Sequence, residues 1–371
     1  MFADNWKISL RQVRRLLVLD VFGLSSLMLP GMFSTMTGAD GFFCLLFGMA
    51  GGGVMLYLMG ANLKHMKKDY YAYMKETAGS LIGDIFMVFY FLYFITLCGY
   101  VLYQTAVLIL SWMLPDASFL WVAALLLLLA VFGTVRGIEG RARVYEIIFW
   151  FLGIPLFAML FLALREVDVD RWTPIVFTGQ EKIWQGSLSF LVFLLPLNSI
   201  LFLKPFCSKT EKLASCARTA MASVALADGV IYLILLGVFG AKTMGVLKRP
   251  VITLMGMINI PGGFFTRQDV VMVSVWFFAL FALLHTGMFQ STLILNEMFH
   301  VQGGRASLVV VAILAFFLGM GFFQNAVLEE IYDIFQICMA LPGMLGILAV
   351  LLLVRQIRYA PRLERKKGGK A

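Results

Sequence analysis

Long apolar stretches, separated by short segments that carry most of the charge, dominate the chain. Ten of them occur, at about 12–36, 41–63, 82–113, 118–135, 144–165, 186–206, 214–240, 268–295, 306–323 and 328–354. Each approaches or exceeds the roughly 20 residues that carry a helix across a bilayer. The apolar–polar alternation of a membrane β-barrel is missing, so helices are the spanning form that leaves no backbone polar group bare in lipid. The pattern predicts an all-α integral membrane protein with ten transmembrane helices, a single polytopic domain over residues 1–371.

Composition agrees with that pattern. Hydrophobic residues make up 61% of the 371 and charged residues only 14%, more apolar surface than a soluble core of this size can hide. Disordered, collagen-like and disulfide-stapled chains are excluded on the same grounds. The net charge of +9 first suggests nucleic acid, but the placement of the cations argues otherwise. The N-terminus, the even-numbered loops and the tail hold 23 of the 30 Lys and Arg, including Lys7, Arg11, Arg14, Arg15, Arg136, Arg141, Arg143 and the run Arg365-Lys366-Lys367. Positive-inside sorting then puts both termini in the cytoplasm, and no nucleic acid is expected as partner. The basic tail, 355–371, suits contact with anionic membrane lipid as well as topology. The first span is too long for a signal peptide and lacks a small-residue cleavage site, so it reads as a retained helix. Cys44, Cys98 and Cys338 lie in spans and Cys207 and Cys216 in a cytoplasmic loop, so disulfides are not expected. His65, His285 and His300 are far apart, and no Cys/His spacing resembles a metal site; no metal and no cofactor are expected.

Prolines inside spans carry the first functional signal. Span 1 reads Gly23-Leu24-Ser25-Ser26-Leu27-Met28-Leu29-Pro30-Gly31, and span 6 reads Leu195-Pro196-Leu197-Asn198-Ser199. Proline lacks an N–H and crowds the preceding turn, so both helices are expected to be broken there. Freed backbone groups in a membrane must then face a cavity, a ligand or other protein. Pro155 in span 5 and Pro342 in span 10 form a second matching pair. Repeat 1, about 8–165, and repeat 2, about 183–354, would hold five spans each and therefore be inverted, a 5+5 plan like that of LeuT-like transporters with broken helices 1 and 6. Such a plan places a small-solute site near the midplane, with helix N-termini suited to a carboxylate and carbonyls suited to an ammonium. Gly23, Ser25, Ser26, Leu27, Leu195, Asn198 and Ser199 are its candidate backbone-rich walls.

Side chains on other spans add to it. Tyr93, Thr96, Tyr100 and Tyr103 share one face of span 3, with Tyr100 most central; that stripe either lines a cavity or forms a helix–helix seam. Thr286 and Gln290 share a face of span 8. Acids inside spans are costly and therefore informative: Asp20 in span 1 and Asp228 in span 7, together with His285 in span 8, are the candidate proton or cation site. For Asp228 a structural pairing with a hydroxyl or backbone group explains the acid at least as well, and for His285 a neutral ring bonded to a neighbouring helix explains it better. No basic residue lies at a span centre, so no buried ion pair is expected. The outer connection 241–268, with Arg249-Pro250-Val251 and Ile260-Pro261-Gly262-Gly263-Phe264-Phe265, reads either as a short helix over the outer mouth or as a lipid-surface helix.

Several further segments, in order, resemble one family. They include Ile8-Ser9-Leu10-Arg11-Gln12, the Leu29-Pro30 step, Gly79-Ser80-Leu81-Ile82-Gly83 and Arg136-Gly137-Ile138-Glu139-Gly140-Arg141-Ala142-Arg143-Val144-Tyr145-Glu146. Thr173-Pro174-Ile175, Lys204-Pro205, Arg249-Pro250-Val251, Phe264-Phe265-Thr266-Arg267-Gln268-Asp269 and Trp276 continue the series. Together they resemble the spore germination permeases, the B-subunit type of nutrient germinant receptors, within the amino acid/polyamine/organocation superfamily. The resemblance implies ten helices in a LeuT-like arrangement, a small nutrient ligand of amino acid type, and A and C receptor subunits as partners. Asn198-Ser199 departs from the more apolar or glycine-containing stretch expected after the span 6 proline, so ligand identity does not transfer.

Two functions fit these features: a membrane subunit that binds a nutrient at a midplane site and signals spore germination, or an ion-coupled secondary amino acid transporter. An enzyme is not expected, because His285 has no nucleophile or acid clustered with it on its own span.

Overall fold

A computed structural model describes residues 7–173, 178–257, 268–301 and 304–367. The first helix, α1 (Leu10–Thr37), opens on a capping box: Ser9 Oγ accepts the Gln12 N–H at 3.3 Å and Gln12 Oε1 accepts the Ser9 N–H at 2.9 Å. This reciprocal cap satisfies two otherwise orphaned donors and fixes where the helix begins. A 3₁₀ turn, Gly38–Asp40, reverses the chain into α2 (Gly41–His65), and the short α3 (Tyr70–Ala78) leads to α4 (Ser80–Trp112). The apolar α5 (Phe119–Val135), α6 (Gly137–Ala163), α7 (Gln180–Phe193), α8 (Ser199–Leu203) and α9 (Leu213–Val246) follow. The short α10 (Pro250–Met257) precedes α11 (Gln268–Phe299), α12 (Arg305–Gln324), α13 (Ala326–Phe335) and α14 (Leu341–Lys367). Among the described residues, eight helical stretches are long and apolar enough to cross a membrane, the first being the 56-residue run Leu10–His65 that holds both α1 and α2. The basic tail continues α14 as helix to Lys367.

The helices sort into centre and periphery. In the stretch Gln180–Phe206, 78% of the most apolar window is buried, against 33% in α12. α1 packs on α9, α11, α7 and α6, and α4 packs on α11 and α12. The outward faces of α5, α6 and α12 present Leu125, Phe132, Ile147, Phe161 and Phe317, all exposed, as lipid-facing surfaces do.

The proline-bearing spans differ from one another. Span 1 is not broken: α1 is hydrogen-bonded as one helix through Pro30. The reason lies in its surroundings. Ser26 Oγ back-bonds to the Phe22 carbonyl at 2.5 Å and receives Trp276 Nε1–H at 3.1 Å, so a neighbouring helix holds the turn that the proline weakens. Pro155 likewise sits inside a continuous α6. Span 6 is interrupted, with a 3₁₀ turn at Leu195–Asn198 between α7 and α8. There the freed carbonyls are met from within the protein: Asn198 Nδ2 donates to Leu195 O at 3.0 Å and Gln290 Nε2 to Ser199 O at 3.3 Å. Span 10 changes hand-hold differently, with a π-helical turn at Gln336–Ala340 just before Pro342.

Basic segments converge at one end of the bundle. Ile8 N–H donates to Phe206 O at 2.8 Å, and Arg11 and Arg15 both pair with Glu146 of α6. Lys204 Nζ caps α2 by donating to the carbonyls of Leu63 and Met66, the position where a cation complements the helix dipole. Arg355 and Arg358 of α14 donate to His65 O and Thr77 O.

Close helix approach depends on Gly23. A Cβ there would lie 2.9 Å from the Ala279 carbonyl carbon of α11, and backbone cannot swing aside. Gly23→Ala should therefore lower the melting temperature of the detergent-solubilised protein, at a cost of about 1–3 kcal/mol. Gly53→Ala, where a Cβ meets nothing within 4 Å, should leave it unchanged or raise it. Equal melting for the two variants would contradict this packing.

Candidate functional site

The continuity of α1 decides what it can offer a ligand. A hydrogen-bonded helix presents side chains, not backbone, and Asp20, Val21, Leu24, Met28, Met32 and Met36 recur along one of its faces. That face forms one wall of a cavity of about 220 Å³. Tyr93, Leu97 and Tyr100 of α4 form the second wall. Ser189, Val192 and Phe193 of α7 and Pro196 of the 3₁₀ turn form the third, and Leu283 of α11 closes one side. Tyr332 and Asp333 of α13 and Gln336 and Ile337 of the π turn complete it. Tyr100 and Tyr332 stack, with ring centroids 4.2 Å apart and planes 19° apart, and the Tyr100 hydroxyl approaches Met28 Sδ at 3.7 Å. Most of the lining is apolar; Asp20 and Asp333 are its only charged members and both are acids.

Asp20 belongs to a buried network. Arg141 Nη2 lies 3.4 Å from Asp20 Oδ1, and both side chains are 1% exposed. Thr286 Oγ1 donates to Asp20 Oδ1 and receives Arg141 Nη2–H. The guanidinium also lies over the rings of Tyr145 and Phe289, at 5.3 and 5.7 Å, a favourable position for a desolvated cation. This corrects the expectation of no buried ion pair. The physical reason is that α6 begins at Gly137, about seven residues before the apolar run that marked span 5, so Arg141 is a helical residue inside the bundle and not part of a loop.

The predicted residues divide among five places. Tyr100 and Asp20 line the cavity, and Thr286 holds Asp20 from outside it. Gly23, Ser26 and Leu27 are packed against neighbouring helices; Gly23 meets Ala279, Ser26 meets Trp276, and Leu27 is fully buried. Ser25 donates to Phe22 O at 3.4 Å and lies beside the buried carboxylate of Asp228 of α9. Asn198 bonds to Leu195 O and Gln290 to Ser199 O, all four residues buried, and Asn198 Oδ1, Ser199 Oγ and Gln290 Oε1 find no hydrogen-bond partner among the described residues. His285 Nδ1 is 2.7 Å from the Tyr145 hydroxyl. The lining residues that sequence reasoning missed include Ser189, Tyr332 and Gln336, which carried no signal of their own, and the methionines of α1. Their spacing of four, Met28–Met32–Met36, was the available signal.

The short helix α10 is buried against α1, α9 and α11 through Val251, Ile252, Leu254 and Met255. Arg249, just before it, donates to Gln104 Oε1 at 3.3 Å. Burial pulls the pKa of this guanidinium below its ordinary value, while Tyr103, Tyr100 and Glu329 nearby oppose the shift. The segment Ile260–Phe265 of the same connection, and Pro174 and Ile175 of the outer loop between α6 and α7, lie outside the described residues.

Comparison with known proteins matches this architecture. The chain is similar to spore germination protein B2 of Bacillus subtilis (strain 168), 24% identical over 273 residues, covering 72% of this chain and 73% of that protein. It is 22% identical over 316 residues to spore germination protein YndE of the same organism, with 81% and 83% covered. Among solved structures it is similar to MhsT in complex with L-phenylalanine, with a TM-score of 0.65, 15% identity, and 92% of this chain and 88% of that one covered. A Na⁺-coupled sialic acid symporter in a substrate-bound outward-open state gives a TM-score of 0.64 at 12% identity, with 95% and 84% covered. These likenesses show a LeuT-type transporter fold. A family model described as spore germination protein matches residues 7–355, and the chain belongs to that family.

Proposed function

We propose that the protein is the membrane subunit of a germinant receptor that binds a small nutrient, an amino acid, in the cavity between α1, α4, α7 and α13, and signals spore germination from there. The observation that carries this reading is the cavity itself. It is of small-solute size, lies among the most buried helices, and is walled partly by the interrupted span at Pro196 and the π turn at Gln336–Ala340. Its Asp333 suits the ammonium of an amino acid, and its methionines and aromatic rings suit an apolar side chain. Ten crossings follow if the run Leu10–His65 crosses twice and α5 once, which makes two inverted sets of five. The convergence of Lys204, Arg355, Arg358, Arg11 and Arg15 at one end supports a cytoplasmic position for both termini. A and C receptor subunits are the expected protein partners.

Within this reading, Arg141 distinguishes sensing from coupled transport. A cation tethered to α6 already compensates Asp20, so that carboxylate does not call for a mobile ion. A transporter remains the second reading because of Asp228, an acid of α9 that is 2% exposed, has no ion pair among the described residues and has Ser25 beside it. Such a group suits a proton.

Binding of a panel of radiolabelled L-amino acids to the purified protein tests the site. Met32→Trp, which fills the cavity, and Tyr100→Ala should each weaken binding roughly tenfold or more, about 1.4 kcal/mol. Unchanged binding in both folded variants would place the ligand elsewhere. Uptake into proteoliposomes separates the two readings. Binding without concentrative uptake is the expected result; uptake driven by a proton gradient and lost in Asp228→Asn would establish the transporter instead. Arg141→Met should cost about 3–5 kcal/mol of stability by stranding the Asp20 charge. Melting of Asp20→Asn/Arg141→Met in detergent should recover most of that loss. A double variant no more stable than the single one would show that Arg141 does not serve to compensate Asp20.

A further inference from the structure

A second and larger cavity, about 710 Å³, lies between α5, α6 and α11, on the far side of Arg141 from the solute cavity. Its walls are apolar: Phe132 of α5, Ile148 of α6, and Phe277, Phe278 and Phe281 of α11. Phe132, Val135 and Val144 along it are more than half exposed, so its mouth opens on the lipid face of the bundle. A purely apolar groove there would be ordinary lipid contact. Its floor is different.

Arg141 and His285 both line it. Each is buried, at 2% and 3% exposure. Arg141 Nε and Nη1 and His285 Nε2 find no hydrogen-bond partner among the described residues. The Tyr145 hydroxyl beside the guanidinium is turned to His285 Nδ1, and Nη2 is committed to Asp20 and Thr286. Buried donors left unmatched are costly, and two of these belong to a permanent cation. Space reaches the imidazole because residue 133 is glycine: a Cβ there would lie 3.0 Å from His285 Cε1 and 3.4 Å from Nε2. At the mouth stand Arg136, whose guanidinium covers the Phe132 ring at 5.0 Å, and Arg143, which pairs with Glu139. Counting Arg136, Arg141 and Arg143 against Glu139, the lining carries a positive excess. It sits at the same end of the bundle as the other basic segments, about one turn below the start of α6.

We propose that this groove is a binding site for an anionic phospholipid of the surrounding leaflet. The acyl chain lies along Phe277, Phe278, Phe281 and Ile148. A phosphate oxygen reaches the Arg141 and His285 donors, and Arg136 flanks the headgroup. Because Arg141 also holds Asp20, the bound lipid contacts the residue that supports the wall of the solute cavity.

Thermal melting of the purified protein in neutral detergent tests the proposal. Dioleoylphosphatidylglycerol should raise the melting temperature by several degrees, and dioleoylphosphatidylcholine and inorganic phosphate should not. Gly133→Phe, which fills the floor, should abolish the shift. An equal shift with phosphatidylcholine would reduce the groove to apolar contact and overturn the anionic site. An equal shift with inorganic phosphate would make it a free-anion site and overturn the lipid. A full shift in Gly133→Phe would move the binding elsewhere. A second measurement needs no variant: a photoreactive phosphatidylglycerol with a diazirine in its acyl chain should label the α11 segment Phe277–Phe281 of the wild-type protein. Labelling confined to other helices would overturn the assignment.

Discussion

A charge in the interior of a membrane protein must be matched where it stands, and Arg141 with Asp20 is where this bundle meets that requirement. The pair ties α6 to α1, and Thr286 ties both to α11. The three helices also meet at Glu146 with Arg11 and Arg15, at Ser26 with Trp276 and at Tyr145 with His285; the rest of their contact is apolar, which in lipid supplies no strong preference for one register over another. A 3.4 Å contact between two fully buried ionised groups does supply one. Removing either partner strands the other, so the spacing of α1, α6 and α11 is held to what the pair allows. The cavity proposed for the solute lies on the Asp20 side of this junction and the lipid-facing groove on the Arg141 side.

The unbroken course of α1 changes the chemistry of recognition. A helix broken at Pro30 would offer free N–H and carbonyl groups, which grip the carboxylate and ammonium common to every amino acid. A continuous helix offers Asp20, Leu24 and the methionines at spacings of four. Contacts of that kind read the shape and polarity of the whole solute, and methionine adapts to several shapes. The free backbone groups are confined to the 3₁₀ turn at Leu195–Asn198, where Asn198 and Gln290 already meet two of the carbonyls.

Much of this was legible in the chain. Nearly every apolar run became a helix within a few residues, because a segment that long and that apolar has no other stable form in lipid. The interruption at Pro196 was also legible. That at Pro30 was misread because the cost of a proline depends on what surrounds the turn, and Trp276, 250 residues away in sequence, supplies the bond that steadies it. Arg141 was missed for a related reason. A cation near the end of a hydrophobic run reads as a loop residue, and only the packing of α1 and α11 shows that its side chain points inward to an acid. Asp20 and Tyr100 were found because buried polarity in a span is conspicuous whatever its partner. The methionine face was overlooked because methionine in a span is ordinary, and its periodicity alone cannot separate a cavity wall from a packed seam.

A ligand can drive a signal only by binding one arrangement of the protein better than another. In this bundle the places where that difference can arise are few. α1 is a continuous rod locked to α6 and α11 by the ion pair and to α11 again by Trp276 and the close approach at Gly23. α4 is equally continuous. The cavity residues set in irregular backbone are Pro196, in the 3₁₀ turn, and Gln336 and Ile337, in the π turn. Those turns can exchange their hydrogen-bonding pattern without breaking a long helix, and π turns are frequent at functional sites for that reason. A solute in the proposed site would touch these turns and the continuous face of α1 together, and α8 and α14 continue from the two turns.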